Sequence, residues 1–383
     1  MVQMEMPIRV LHVVSAMNRG GAETLIMNIY RNIDRSKIQF DFISHNSNNP
    51  NDFDDEIKSL GGRVFRVQSL GELGPVKYIR ELRKIMEQNG PFQAVHAHTD
   101  FQSGFVAIAA KMAGIHRRIC HSHNNDWTMG NNIKARTLLW ILKRTISVFG
   151  TNYCACSIAA AHFLFNKSKT DNGRVSILRN GIAVNEYEHL LEEDCQIRIR
   201  KELDIPQDAK ILGHIGRFYE QKNHRFLLQV IKKATEKDAG IIAILVGDGP
   251  LRQEIEREAD ELGIRNHIRF TGVRKDIPQL MRTLDVFVFP SLFEGFGIVM
   301  VEAQAAGVPC VASDSVPIET DMGLGLVKFV RLQAGAEIWA QEVITSLPTK
   351  NNNLKEVSQK ITDRGFNIKQ SVADWVSLYG ING

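Results

Sequence analysis

Short apolar, β-branched runs alternate with helix-length amphipathic stretches along this 383-residue chain, and the series runs twice. The first series offers strands at residues 8–14, 39–43, 63–67, 94–98, 117–121, 152–156 and 175–178. Its clearest helix covers 76–88, with Pro75 placed to start it and Ile79, Leu82, Ile85 and Met86 on one face. After a turn at Asn180-Gly181 the pattern restarts, with strands at 210–215, 241–246, 268–270, 285–289 and 309–312 and helices at 225–234, 251–262, 277–282 and 298–306. Strands that alternate with helices build a parallel sheet covered on both faces. Two such series predict two Rossmann-like doubly wound domains, and ligands of such sheets sit at the carboxyl ends of the strands.

Composition narrows the classes. The chain is 44% hydrophobic, enough for two cores and well outside the disordered or fibrous range. Its apolar runs, such as 241–246 and 286–289, fall far short of the roughly 20 residues a spanning helix needs. Residues 1–14 have no basic region or small-residue cleavage site, so 8–14 reads as a first strand rather than a signal peptide. Five scattered cysteines do not make a disulfide framework and fit a reducing, cytoplasmic compartment. Residues 1–180 hold 23 Lys+Arg against 14 Asp+Glu, whereas the remainder holds 24 against 29. A basic first half suits an anionic acceptor or a membrane surface, or is simply a basic surface.

Four segments carry candidate chemistry. Gly20-Gly21, directly after the first strand, is either a plain turn or a close backbone approach to an anion at a helix start. His96/His98 and His121/His123 form two His-x-His units at strand ends, each pair on one face. They suit contacts to a sugar or phosphate; a metal site is the less favoured reading, with only Asp100 and Asp126 nearby in sequence. Gly216-Arg217 and Lys222 follow the strand 210–215, either as diphosphate ligands or as solvated charges. The most specific segment runs from Phe289 to Ala303, where a buried strand enters a glycine-bracketed loop and then a helix. Glu294 lies in that loop, and Glu302 lies on the helix about two turns later. The amides of Gly297, Ile298 and Val299 open the helix toward an anion, and the two carboxylates suit sugar and ribose hydroxyls. Asp52 and Asp54 have the spacing of a metal clamp but lie in a polar loop and read as solvated.

The segment PSLFEGFGIVMVEAQAAGVPCVAS, with GGAE, HSHN, GRFYEQKN, LVGDGP and FTG in order, resembles the family 4 retaining glycosyltransferases over essentially the whole chain. The resemblance implies an α/β GT-B fold, two Rossmann-like domains facing a central cleft. The acceptor-side domain would cover 1–180, completed by a helix at 366–383 anchored by Val372, Trp375, Val376 and Tyr379, and the nucleotide-sugar domain 181–365. It further implies that Glu302 binds ribose and Glu294 the donor sugar. Arg217, Lys222 and the backbone of Gly216, Phe296, Gly297, Ile298 and Val299 would hold the diphosphate. Gly20 and Gly21 would approach phosphate or acceptor, His121 the sugar, and the backbone near Val273 the base. The catalytic set expected is His121, Glu294, Arg217 and Lys222, with no metal and no cofactor beyond a nucleotide-sugar substrate, in the main a UDP-sugar.

The activity implied is transfer of a hexose or N-acetylhexosamine to a glycan or lipid-linked acceptor in exopolysaccharide synthesis, with no nucleic-acid partner. Residues 133–148, basic and amphipathic, suit either peripheral contact with an anionic membrane surface or an ordinary helix with one face in the core, as does 76–88 with Lys77, Arg80 and Lys84. Two alternatives stand beside this reading. One is another GT-B enzyme, such as a UDP-sugar epimerase or a phosphorylase; the other is a non-catalytic sugar-nucleotide-binding partner.

Overall fold

The computed structural model describes residues 6–18, 20–45, 50–123, 133–190 and 192–381. The chain divides into two compact units, Met1–Gly181 with Ile368–Gly383 and Ile182–Asn367.

Unit 1 holds β1 (Ile8–Val14), β2 (Ile38–Ser44), β3 (Val64–Arg66), β4 (Ala94–Ala97), β5 (Arg117–Ser122), β6 (Asn152–Ala155) and β7 (Val175–Ile177). Their order across the sheet is β3-β2-β1-β4-β5-β6-β7, every pair parallel. Alternation along each strand sorts the residues between two faces. Leu11, Val13, Val95 and Ala97 join Tyr78, Leu82, Met86 and Val106 in one core. The other face carries His12 paired with His96 and, further along, His121 paired with Cys154. The helix Ile368–Leu378 belongs to this unit and packs beside Gly21–Asn32, with Trp375 and, just past its end, Tyr379 fully buried.

The helix Leu70–Asn89 shows how local sequence sets a boundary. Gly74 breaks it at φ 71°, so the regular helix begins at Pro75. The short turn before it is closed by Ser69, whose amide donates to Glu72 at 2.8 Å. One aspartate departs from expectation. Asp54 is 2% exposed, not solvated. It opens a short helix and accepts from the Asn51 amide at 2.9 Å and from Arg66. A buried carboxylate persists only where such partners replace water.

Unit 2 holds β8 (Lys210–Ile215), β9 (Ile241–Val246), β10 (Ile268–Gly272), β11 (Val286–Phe289), β12 (Cys310–Ser313) and β13 (Val327–Val330), in the order β10-β9-β8-β11-β12-β13, again all parallel. Its core joins Leu212, Ala243, Leu245, Val288 and Val311 of the sheet to Leu227, Ile231, Trp339 and Val343 of the helices. Both sheets therefore run outward from a central first strand and reverse at their fourth, the switch that opens a crevice at the strand ends. Among the described residues, no helix is long and apolar enough to cross a membrane.

Candidate active site

The loops at the carboxyl ends of the unit 2 strands are sewn together by their own backbone. Gly216 donates to Val246 O at 3.0 Å, Phe218 to Asp248 O at 3.0 Å and Gly247 to Gly272 O at 2.9 Å. Gly247 sits at φ +133°, where a Cβ would stand 2.1 Å from the Gly216 carbonyl, so only glycine lets the β8 and β9 loops touch.

The loop after β11 is tied to the loop after β8 by side chains. Gln221 Nε2 donates to Phe293 O at 2.9 Å, Asn223 Nδ2 to Pro290 O at 3.2 Å, and Leu292 N to Gln221 O at 2.8 Å. These ties bring Lys222 Nζ within 2.5 Å of Glu294 Oε1, with Glu294 only 5% exposed. The ammonium also stands 4.7 Å from the centre of the Phe289 ring. A cation and a carboxylate are thus held in a desolvated corner beside Gly216, whose absent side chain leaves room for the Lys222 stem. Gln221 and Asn223, which hold the loops, belong to the GRFYEQKN segment, but nothing in it told that they tie the two loops together.

The helix Ile298–Ala305 starts at Gly297, which caps it at φ 89° without a side-chain bond. Its first amides have no partner within the helix and carry the positive end of its dipole. Phe296 is buried and stacks on Phe366 at 5.1 Å, so what it can offer a ligand is backbone. Glu302 keeps part of its surface open, yet burial and the nearby Glu186 charge push its carboxyl up to about 7. It is therefore close to half-ionised near neutrality. Burial also raises the adjoining Tyr187 phenol, with Glu302 the next cause. Arg217 is exposed on the β8 loop, and Val273, half-exposed, follows β10.

The remaining expected residues lie in unit 1. Gly20 and Gly21 open the helix after β1; Gly20 has ordinary extended backbone (φ −107°, ψ 172°) and a Cβ on Gly21 would meet nothing within 4 Å. The sheet's own steric demands therefore do not require glycine at Gly21. His121 is fully buried in an array of which the two His-x-His units are only part. His96 and His98 lie tilted with ring centroids 4.1 Å apart, and His121 and His123 stack at 4.0 Å. His12 joins them from β1, its Nδ1 3.0 Å from His98 Nε2. His98 Nδ1 lies 2.9 Å from His123 Nε2, and His96 Nε2 3.1 Å from His121 Nδ1. Burial depresses all five imidazoles, His12 to about 3 and His123 to about 4, so they are neutral at physiological pH. The Asp100 carboxylate accepts from the His123 amide at 2.7 Å. Asp126 lies outside the described residues. Only alternation along 8–14 could have flagged His12, and the spacing that marks Tyr379 as a helix anchor gives no sign of its contact with His96.

Known proteins place this geometry. Residues 19–186 match the family described as Glycosyltransferase Family 4, and 196–322 that described as Glycosyl transferases group 1. The putative glycosyltransferase EpsF of Bacillus subtilis is 43% identical over 377 residues, 98% of this chain and 97% of that protein. The capsular polysaccharide biosynthesis glycosyltransferase CapH of Staphylococcus aureus is 28% identical over 306 residues, 78% of this chain and 79% of that one. Anabaena HepE, solved with UDP and glucose, superposes with a TM-score of 0.78 at 20% identity, covering 97% of this chain and 99% of its own. With two parallel Rossmann-like sheets and both halves of the family pattern present, the chain belongs to the family 4 glycosyltransferases and has the GT-B fold.

Proposed function

We propose that this glycosyltransferase moves a hexose or N-acetylhexosamine from a UDP-sugar to a glycan or lipid-linked acceptor in cell-surface polysaccharide synthesis, retaining the anomeric configuration and using no divalent metal. The observation that carries this reading is the buried Lys222–Glu294 pair at the unit 2 strand ends, in the same loop that leads into the Gly297-capped helix. A departing nucleoside diphosphate gathers negative charge, and fixed cations and helix-start amides stabilise it without reorganising. Lys222, Arg217 and the amides of Gly297, Ile298 and Val299 supply that charge here. Glu294 takes the donor sugar hydroxyls and Glu302 the ribose hydroxyls. His121 contacts the sugar, Gly20 and Gly21 admit phosphate or acceptor, and the backbone at Val273 meets the base. HepE, bound to UDP and glucose, and CapH, named for capsular polysaccharide synthesis, support the donor class and the setting.

Product analysis tests the reaction. Nuclear magnetic resonance of a mixture with an α-linked UDP-sugar and a lipid-diphosphate acceptor should show a new α-glycoside and UDP, with chelator present. A β-glycoside would refute retention. UDP with only a free epimerised sugar would identify a hydrolysing epimerase instead.

We further place the enzyme on the cytoplasmic face of the membrane; five unpaired, buried cysteines fit that compartment. The helix Ile133–Phe149 buries only Ala135, Leu142 and Ile146 and leaves Ile133, Leu138, Trp140, Ile141 and Val148 exposed. Lys134, Arg136 and Arg144 stand exposed on the same helix, which contains no acidic residue. The helix Leu70–Asn89, by contrast, exposes Lys77, Arg80 and Lys84 but buries Tyr78, Leu82 and Met86. The apolar-and-basic combination points to Ile133–Phe149 as the membrane contact. Sedimentation with anionic vesicles at low salt should carry the protein down, and Trp140→Ser with Ile141→Ser should weaken it severalfold. Equal indifference to anionic and neutral vesicles would remove the membrane from the account.

A further inference from the structure

The hydrogen bonds around His121 have a direction that the residues themselves fix. Tyr379 is fully buried, and among the described residues the one partner of its hydroxyl is His96 Nδ1, 3.0 Å away. A buried hydroxyl that donates to nothing is costly, so this O–H donates to His96 Nδ1. His96 Nδ1 is then without a proton, and in a neutral imidazole the proton must sit on Nε2. That N–H faces His121 Nδ1 at 3.1 Å, with Cys154 Sγ a second, weaker acceptor at 3.5 Å. The thiol's own hydrogen is free to point at the Cys120 carbonyl, 3.9 Å away, which leaves its lone pairs toward His96. His121 Nδ1 therefore accepts, and its proton is forced onto Nε2. Nε2 is buried and has no hydrogen-bond partner among the described residues. Among the described residues this N–H is therefore left as a donor for an acceptor that a ligand brings.

We propose that Tyr379 and His96 are positioning residues that lock His121 as its Nε2–H tautomer, so that it presents a hydrogen-bond donor to an oxygen of the bound sugar nucleotide. This rests on the reading of His121 as a sugar contact; the tautomer itself does not. Trp375 roofs the relay, its ring 5.0 Å from His96 and 5.9 Å from His121, and keeps both imidazoles from turning. The Tyr379 hydroxyl arrives 283 residues after His96 in sequence, which ties the tautomer to the packing of the chain's last helix.

A bound metal is the competing account of the same atoms, because the ligand atoms of His96, His121 and Cys154 lie within 4.8 Å of one another. One feature weighs against it: a divalent ion there would have a single thiolate to offset its charge in a fully buried site.

The test uses the full chain labelled with ¹⁵N-histidine, which reports the protonated nitrogen of each ring directly. Wild-type His121 should show a protonated Nε2 and a bare Nδ1. Tyr379→Phe keeps the ring and removes the donor that fixes the relay, so His96 and His121 should become tautomer mixtures. Its kcat should fall about tenfold, as for other orienting partners of a functional imidazole, while donor KM stays within about twofold. An unchanged His121 tautomer in Tyr379→Phe, or one equivalent of chelator-removable zinc in the purified protein, would overturn the relay. Full activity in His121→Ala with the wild-type tautomer as proposed would instead overturn the role given to His121 as a sugar contact.

Discussion

At the strand ends of unit 1, burial removes charge; at those of unit 2, charge is kept and paired. Both units use the same parallel order, with the first strand central and the reversal at the fourth. Unit 1 fills that place with five neutral imidazoles roofed by Trp375. Unit 2 fills it with a lysine, a glutamate and loops drawn tight by Gly247 and by Gln221 and Asn223. One topology thus supports two kinds of polar site. A hydrogen-bond array needs only correct proton placement, so it survives full burial. A charged pair survives burial only with its partner in contact, so its loops must be fixed to a fraction of an ångström.

Acid should break the comparison most strongly. The unit 1 imidazoles have folded pKa values below the unfolded value of 6.5, so they bind fewer protons folded than unfolded. Their contribution is present above pH 6.5 and is lost as pH falls. Each is worth up to about 1.4 kcal/mol per pH unit in that range. His45, at about 4, adds a sixth, against two in unit 2, His214 at about 4 and His224 at about 2. Unit 1 should therefore unfold ahead of unit 2 between pH 6.5 and 5.5 in calorimetric scans, and a Tm indifferent to pH there would show the imidazoles to be solvated or paired.

Glu294→Gln sharpens the other half. It keeps the volume of the side chain and removes the charge that Lys222 faces at 2.5 Å. The variant should lose about 10²–10³ in kcat, comparable to removing one preorganised electrostatic contact. Activity within twofold of wild type would deny Glu294 its place in the reaction.

The smallest effect belongs to Glu302. A carboxyl raised to about 7 favours the protonated folded form, so its contribution to stability is lost as pH rises from about 4.5 toward 7. Ribose hydroxyls bind best to the ionised form. UDP affinity should accordingly rise about tenfold between pH 6 and 8, with proton release, and Glu302→Gln should flatten the rise. A flat profile in the wild type would place the nucleotide elsewhere.

The β-branched runs made the inner strands readable: β1, β8 and β9 lie where the residues put them, because strands buried on both faces leave no choice of pattern. β13 was not legible. It is a four-residue edge strand, partly exposed and interrupted by Lys328, so it lacks the apolar signature. The helices Ala336–Ser346 and Leu354–Asp363 also went unread, lying beyond the last strand that the apolar runs marked. In the site, Lys222 and Glu294 were each visible, but their contact depends on Gln221 and Asn223 closing two loops 72 residues apart. Asp54 was misread for the same reason, since its partner Arg66 belongs to the next strand. Two His-x-His units announced the array, whereas His12 and Tyr379 join it only through sheet register and the return of the last helix.

Calorimetric titration of the purified chain with UDP, GDP and ADP, chelator present, tests the central claim most directly. The account predicts that UDP binds, in preference to the other two, with no metal added. Binding of none of them, or binding of UDP only when a divalent ion is supplied, would contradict it.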